Sequence, residues 1–398
     1  MIHKLADTDH QGVISLIQEL VKLPTRGGID PYDNIMTCVS EWLINHDLCP
    51  RRLHDTVTND PVAVVCDVAG GHPGPRYVLD ACLDTAPFGE LTTWQHAPTS
   101  AAIEDGWLYG RGAADSKAAI AIFMHLATHI KDHAQQLHGT VTLLFDADEH
   151  TGNFGGAKRY FGEKDAPTDI HGVMIGYPGM DELVIGGRGF LRVNLIVRGE
   201  AGHTGSDRIV TGNAIEHAAE LVRALATRRV PGPTDAALGI APKVTVTAIA
   251  GGQGYSIIPD VCTVSVDVRL TTDFNESAAK NLITNVVKDV DEQRQSFIGA
   301  TTVAFHESWP AYQLSKDSVI RVALQNAAKH HLHSDLTAKV TGPSNIGNYL
   351  AKLGIDATAG LGVRYEGLHA TNERIDLATI PAVQATYHEA HLRLFSGQ

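Results

Sequence analysis

The chain is 398 residues long, 43% hydrophobic and 19% charged, with a formal net charge of −13. That length allows two or three domains with substantial cores, and the acidic balance argues against nucleic acid or an anionic membrane surface as a partner. Five cysteines (Cys38, Cys49, Cys66, Cys82, Cys262) are widely spaced without a Cys-x-x-Cys, a usage that fits a reducing cytoplasm better than a disulfide framework or a structural zinc site.

Helical periodicity is expected near residues 8–24 and 34–48, with Pro24 and Gly27-Gly28 breaking between them. The amino-terminal stretch has no apolar core of the signal-peptide kind, and no run is long enough to cross a bilayer. Strand-like runs follow at 61–68 and 77–83, then a buried helix from Ala118 to Met124 and a strand at 140–145. Near Gly186-Gly187-Arg188-Gly189 the pattern changes. A strand at 190–197, a helix at about 212–228, strands at 243–250 and 261–269, a long helix at 275–294 and a strand at 300–306 spell β-α-β-β-α-β. The fold class predicted is α/β: a larger domain in two parts, 1–187 and 307–398, interrupted by a compact α+β domain at 188–306 with a four-stranded antiparallel sheet and two helices.

The chemistry concentrates in short segments. Phe145-Asp146-Ala147-Asp148-Glu149-His150 places an acid beside an imidazole at the end of an apolar run. Metal-assisted hydrolysis needs such a pair, one side chain to hold an ion and its neighbour to take a proton from the attacking water. An acidic strand end alone is usually a solvated turn, but this one has company. Leu83-Asp84-Thr85-Ala86-Pro87 and Gly110-Arg111-Gly112-Ala113-Ala114-Asp115-Ser116-Lys117 lie upstream, and Gly202-His203-Thr204-Gly205 and His369-Ala370-Thr371-Asn372-Glu373 lie downstream.

In that order and spacing these segments resemble the acetylornithine deacetylase, succinyl-diaminopimelate desuccinylase and carboxypeptidase family of metallohydrolases, over nearly the whole chain. The resemblance implies a catalytic domain with a mixed central sheet flanked by helices and an inserted lid and dimerisation domain. It also implies a two-metal site in which Asp115 matches the bridging aspartate. His150 and His369 match the further ligands of one ion, and an Asp-His-His set suits zinc, manganese, cobalt or iron. The private ligands of the other ion are replaced by Cys82 and Tyr177. A phenol is a poor ligand at neutral pH, so the expectation is one divalent ion per chain, with a rebuilt Cys82-containing dinuclear site as the alternative. Cys82 also has a plain reading as a small buried residue at a strand end.

Glu149 matches the family's general base. Asp84 matches a residue that orients the ligand now replaced by Cys82, so it either steadies other catalytic groups or is a relic. His203 matches a lid histidine that reaches a partner subunit's site and stabilises developing negative charge, which implies at least a dimer. Arg269 matches an arginine that pairs with a substrate carboxylate. The family's acidic-x-Arg segment reads Pro343-Ser344-Asn345 here, leaving Ser344 and Asn345 as candidate substrate contacts and the usual carboxylate clamp incomplete.

The function expected is metal-dependent hydrolysis of a C–N bond in a small carboxylate-bearing substrate. The altered site leans towards an aromatic aminohydrolase of the 5-nitroanthranilate kind. An N-acyl-amino-acid deacylase or dipeptidase is the first alternative and a catalytically inactive binding relative the second. No Gly-x-Ser-x-Gly elbow or phosphate-loop pattern is present.

Overall fold

The computed structural model describes residues 2–208, 212–228, 230, 234–293 and 299–396. The chain forms two units, one of residues 1–185, 314–339 and 353–398, the other of 186–313 and 340–352.

The first unit is built on a mixed sheet. Its strands run in the order Pro50–His54, Pro61–Ala69, His138–Asp146, His72–Cys82, Ile170–Ile175, Ala357–Ala359 and Glu182–Gly187, the last of which continues into the second unit. His72–Cys82 pairs in parallel with both His138–Asp146 and Ile170–Ile175, which in turn pairs in parallel with Ala357–Ala359. These central strands are near-continuous apolar runs because both faces are covered. Helices Ile2–Lys22, Ala118–Asp132, Val319–His331 and Ile380–Phe395 pack on one another. The expected run Ala118 to Met124 is buried throughout, and its helix continues to Asp132. The first helix begins at Ile2, earlier than expected, because Leu5 and Ala6 extend the apolar face upstream of residue 8.

A small antiparallel sheet of the same unit does the most for the site. Tyr365–Glu366 pairs with Arg374–Asp376, which pairs with Trp107–Tyr109. The register Arg374 opposite Tyr109 sets the loop carrying His369 beside the turn carrying Asp115.

The second unit is an antiparallel sheet in the order Lys243–Gly251, Val261–Leu270, Gly189–Arg198 and Thr302–Trp309. Cys262, Val264, Val266, Val268 and Leu270 alternate inward on the second of these strands. They pack with apolar residues of helices Ala214–Thr227 and Glu276–Glu292 in one core. Asn213 and Asn275 start these helices, their side-chain oxygens accepting the N–H groups of Ile215 and Ala278. Residue 294, in the expected reach of the second helix, lies outside the described residues. The unit also takes in Val340–Lys352, part of the expected 307–398 segment. The buried Asn348 amide explains this, since it donates to the carbonyls of Gly187, Arg188 and Pro310. No helix among the described residues is long and apolar enough to cross a membrane.

Candidate active site

In the first unit, three neighbouring parallel strands deliver chemistry at their carboxyl ends, the usual place for a site in an open α/β sheet. His72–Cys82 ends in Cys82 and leads to Asp84, His138–Asp146 leads to Glu149 and His150, and Ile170–Ile175 leads to Tyr177. The turn before Asp115 needs Gly112, whose φ is 80°. A Cβ there would meet Thr85 Cγ2 at 2.4 Å.

The Asp115 carboxylate divides its two oxygens. Oδ2 lies 2.9 Å from His369 Nε2 and 3.5 Å from His150 Nε2. One ligand atom from each of Asp115, His150 and His369 lies within 4.8 Å of the other two. Oδ1 accepts the Ser116 hydroxyl at 2.9 Å and lies 3.8 Å from Cys82 Sγ. Burial opposes ionisation of Asp115, yet hydrogen bonds from His150 and His369 hold it well below the usual carboxylate range. Burial would lower the His150 imidazole, but the Asp115 and Asp84 carboxylates lift it to about 11. Two imidazoles and an ionised carboxylate facing one another are a donor set that fits a divalent transition ion.

Glu149 stands beside this set. Burial first, then the charges of Asp115 and Asp146, push its carboxyl up to about 8. Its Oε1 accepts a short hydrogen bond from the Tyr177 hydroxyl. Burial, then the neighbouring Glu149 charge, raises the Tyr177 phenol and the Cys82 thiol well above their ordinary values, so both stay protonated. Cys82, Asp84 and His150 form a second cluster within 4.8 Å. It shares His150 with the first and relies on that protonated thiol.

Asp84 is fully buried and grips the loop that carries the base. Its Oδ1 accepts the N–H of Glu149 at 3.1 Å, and its Oδ2 accepts the N–H of His150 at 2.8 Å. Sequence inspection missed a second organiser, Glu373. It is buried, pairs with Arg111 at 2.7 Å and accepts the Ala114 N–H at 3.0 Å, while Arg111 also donates to the His369 carbonyl at 3.2 Å. The only sequence signal was an acid four residues after His369 and an arginine four before Asp115. Also missed were Asp80 and Asp146, buried carboxyls on adjacent strands. Burial raises both well above the usual range.

The remaining candidates lie in the second unit. His203 is exposed, and its Nδ1 accepts the Gly205 N–H at 3.0 Å. That bond leaves the proton of the neutral ring on Nε2, as a donor. Arg269 pairs with Asp267 at 2.7 Å and donates to Ser344 Oγ at 3.2 Å, and Ser344 donates to the Arg188 carbonyl at 2.6 Å. The Asn345 side-chain oxygen is turned to local structure, accepting the Gly347 N–H at 2.8 Å.

Comparison with known proteins agrees with this architecture. A profile of Peptidase family M20/M25/M40 matches residues 78–393. A succinyl-diaminopimelate desuccinylase of Marinobacter nauticus is 25% identical over 334 residues, covering 82% of this chain and 85% of the relative. An M20 family metallo-carboxypeptidase from Sulfolobus solfataricus superposes with a TM-score of 0.75 at 18% identity, covering 96% of this chain and 99% of that one. A dinuclear metal binding peptidase of the M20 family from Bacillus subtilis gives 0.71 at 14% identity, covering 98% and 100%.

Proposed function

The chain belongs to peptidase family M20/M25/M40, and on that premise we propose that it hydrolyses a C–N bond of a small carboxylate-bearing substrate with one divalent ion per chain, held by Asp115, His150 and His369. The observation that carries the reading is the convergence of those three ligand atoms beside Glu149. The single ion is supported by the division of Asp115, because Oδ1 is taken by Ser116 while Oδ2 faces the two imidazoles. An ion bound there supplies Lewis acidity, making a water nucleophilic near neutral pH and polarising the bond it attacks.

The protein's own residues do the rest. Glu149 takes the proton of the attacking water and hands it to the departing nitrogen, a role of about 10²–10⁴ in rate. Asp84 fixes the backbone of Glu149 and His150, so base and ligand keep their spacing. His203 would offer its Nε2 proton to the negative charge that develops on the substrate in the partner subunit's site. Arg269, oriented by Asp267 with Ser344 beside it, is the anchor for a substrate carboxylate. Homodimerisation is supported by strand Lys243–Gly251, which ends its sheet with one edge unpaired by the other three strands and carries exposed Ile249.

An amide is the first bond to test, since the desuccinylase relative and the carboxypeptidase neighbour carry amide-cleaving names. An aryl amine is the second, favoured by the two neutral, protonated groups Cys82 and Tyr177 beside the base. The test is a screen of N-acyl amino acids, dipeptides and aminobenzoates with zinc, manganese, cobalt and iron, reading freed amine and ammonia separately. Turnover of an amide or an aryl amine that depends on added ion is expected. No turnover in any combination overturns the reading in favour of a binding protein.

A further inference from the structure

Tyr177 and Glu149 reach each other from two rigid arms. Tyr177 follows strand Ile170–Ile175 in a turn packed tightly on both sides. A Cβ on Gly176 would meet Ala119 Cβ at 2.5 Å, and one on Gly362 would meet the Tyr177 carbonyl oxygen at 2.4 Å. Main-chain bonds pin the same turn, from Gly176 N to Asp80 O at 2.8 Å and from Tyr177 N to Ile175 O at 3.0 Å. The other arm is the Glu149 loop held by the buried Asp84. Where the arms meet, the Tyr177 hydroxyl donates to Glu149 Oε1.

We propose that Tyr177 is the positioning residue of the general base, holding the Glu149 carboxylate by Oε1 so that Oε2 is the oxygen presented to the attacking water. A carboxyl group at the end of a flexible side chain samples many orientations, and one hydrogen bond from a fixed phenol restricts them. The phenol suits this task because it brings a donor without a charge, so Glu149 keeps its capacity to take a proton at the other oxygen. The same bond engages Tyr177 as a donor to Glu149, which argues against it as a metal ligand. The inference rests on Glu149 being the base, as proposed above. It extends that reading by giving the replaced ligand position a role of its own, exerted through Glu149.

The test uses the full-length, metal-reconstituted protein with Tyr177→Phe, Glu149→Gln and the double variant. Tyr177→Phe keeps the packed ring and removes only the hydroxyl. It is expected to lower kcat about 10- to 100-fold, with KM within about threefold and metal content unchanged. Against a Glu149→Gln background it should add nothing, because it acts only through the carboxylate. Crystal structures of the parent and Tyr177→Phe proteins give a readout that needs no substrate: Glu149 ordered in the parent and displaced or spread over several rotamers in the variant. An unmoved Glu149 in Tyr177→Phe, an unchanged kcat, or a loss that multiplies with that of Glu149→Gln overturns the proposal. A fully active Glu149→Gln instead overturns the assignment of the base, and the two structures still decide whether Tyr177 positions that carboxylate.

Discussion

Asp84 holds the His150 backbone and faces its ring: its Oδ2 accepts the His150 main-chain N–H at 2.8 Å and lies 3.5 Å from the ring Nδ1. One buried carboxylate therefore sets the backbone and faces the rear nitrogen of the imidazole whose Nε2 points to Asp115. A carboxylate behind a metal-binding histidine fixes its tautomer and raises its basicity. Asp84 would thus serve His150, although the ligand once expected two residues before it is Cys82.

Asp84→Asn should weaken divalent-ion binding about 10- to 100-fold, because the amide group faces donors with a donor of its own. Isothermal titration with zinc or manganese reads this directly. Affinity equal to that of the parent would make Asp84 a scaffold for the Glu149 loop alone.

Elemental analysis of protein equilibrated with excess ion and then desalted should give one divalent ion per chain. His150→Ala and His369→Ala should each remove it. Two retained ions, with Cys82 sulfur at one of them by X-ray absorption, would establish the Cys82, Asp84 and His150 cluster as a second site.

Glu149→Gln should abolish turnover while leaving metal content near the parent value, since Glu149 lies beside the ligand set and outside it. Activity within a few fold of the parent places the base elsewhere.

His203→Ala should lower kcat by about 10²–10³. Mixing it with Glu149→Gln should restore part of the activity, because a mixed dimer would assemble one site with both groups intact. Verified mixed dimers without any recovery would rule out a His203 that serves the partner's site.

Acid should destabilise the fold between about pH 6.5 and 4. His388 and His391 are buried, and burial pushes both imidazoles down to about 4. Between that value and an ordinary one near 6.5 the unfolded chain binds more protons, so stability falls as pH falls. Each histidine contributes a loss of up to about 2–3 kcal/mol at the acid end of this window. His391→Gln should flatten the fall in denaturant midpoint over the same range, and an unchanged slope would assign it to other groups.

The local rules of the chain are enough to specify much of this protein. Alternation along 261–270 and the apolar run 118–124 expose their periods without any tertiary information, since burial of one face or of the whole run dictates residue type at every position. Asp115, Glu149, His150 and His369 stand out in the sequence through motifs that resemble those of a metallohydrolase family, and the fold brings ligand atoms of Asp115, His150 and His369 within 4.8 Å of one another. Only the tertiary structure decided what surrounds them. Arg111 meets Glu373 across 262 positions of sequence, and Glu149 N meets Asp84 across 65. Such pairs leave no periodic trace, because a hydrogen bond depends on where two strand ends and a loop are brought together in space. The contact of Tyr177 with Glu149 was hidden for that reason, and the sequence left Asp84 between a steadying group and a relic until its partners on another strand end were in place.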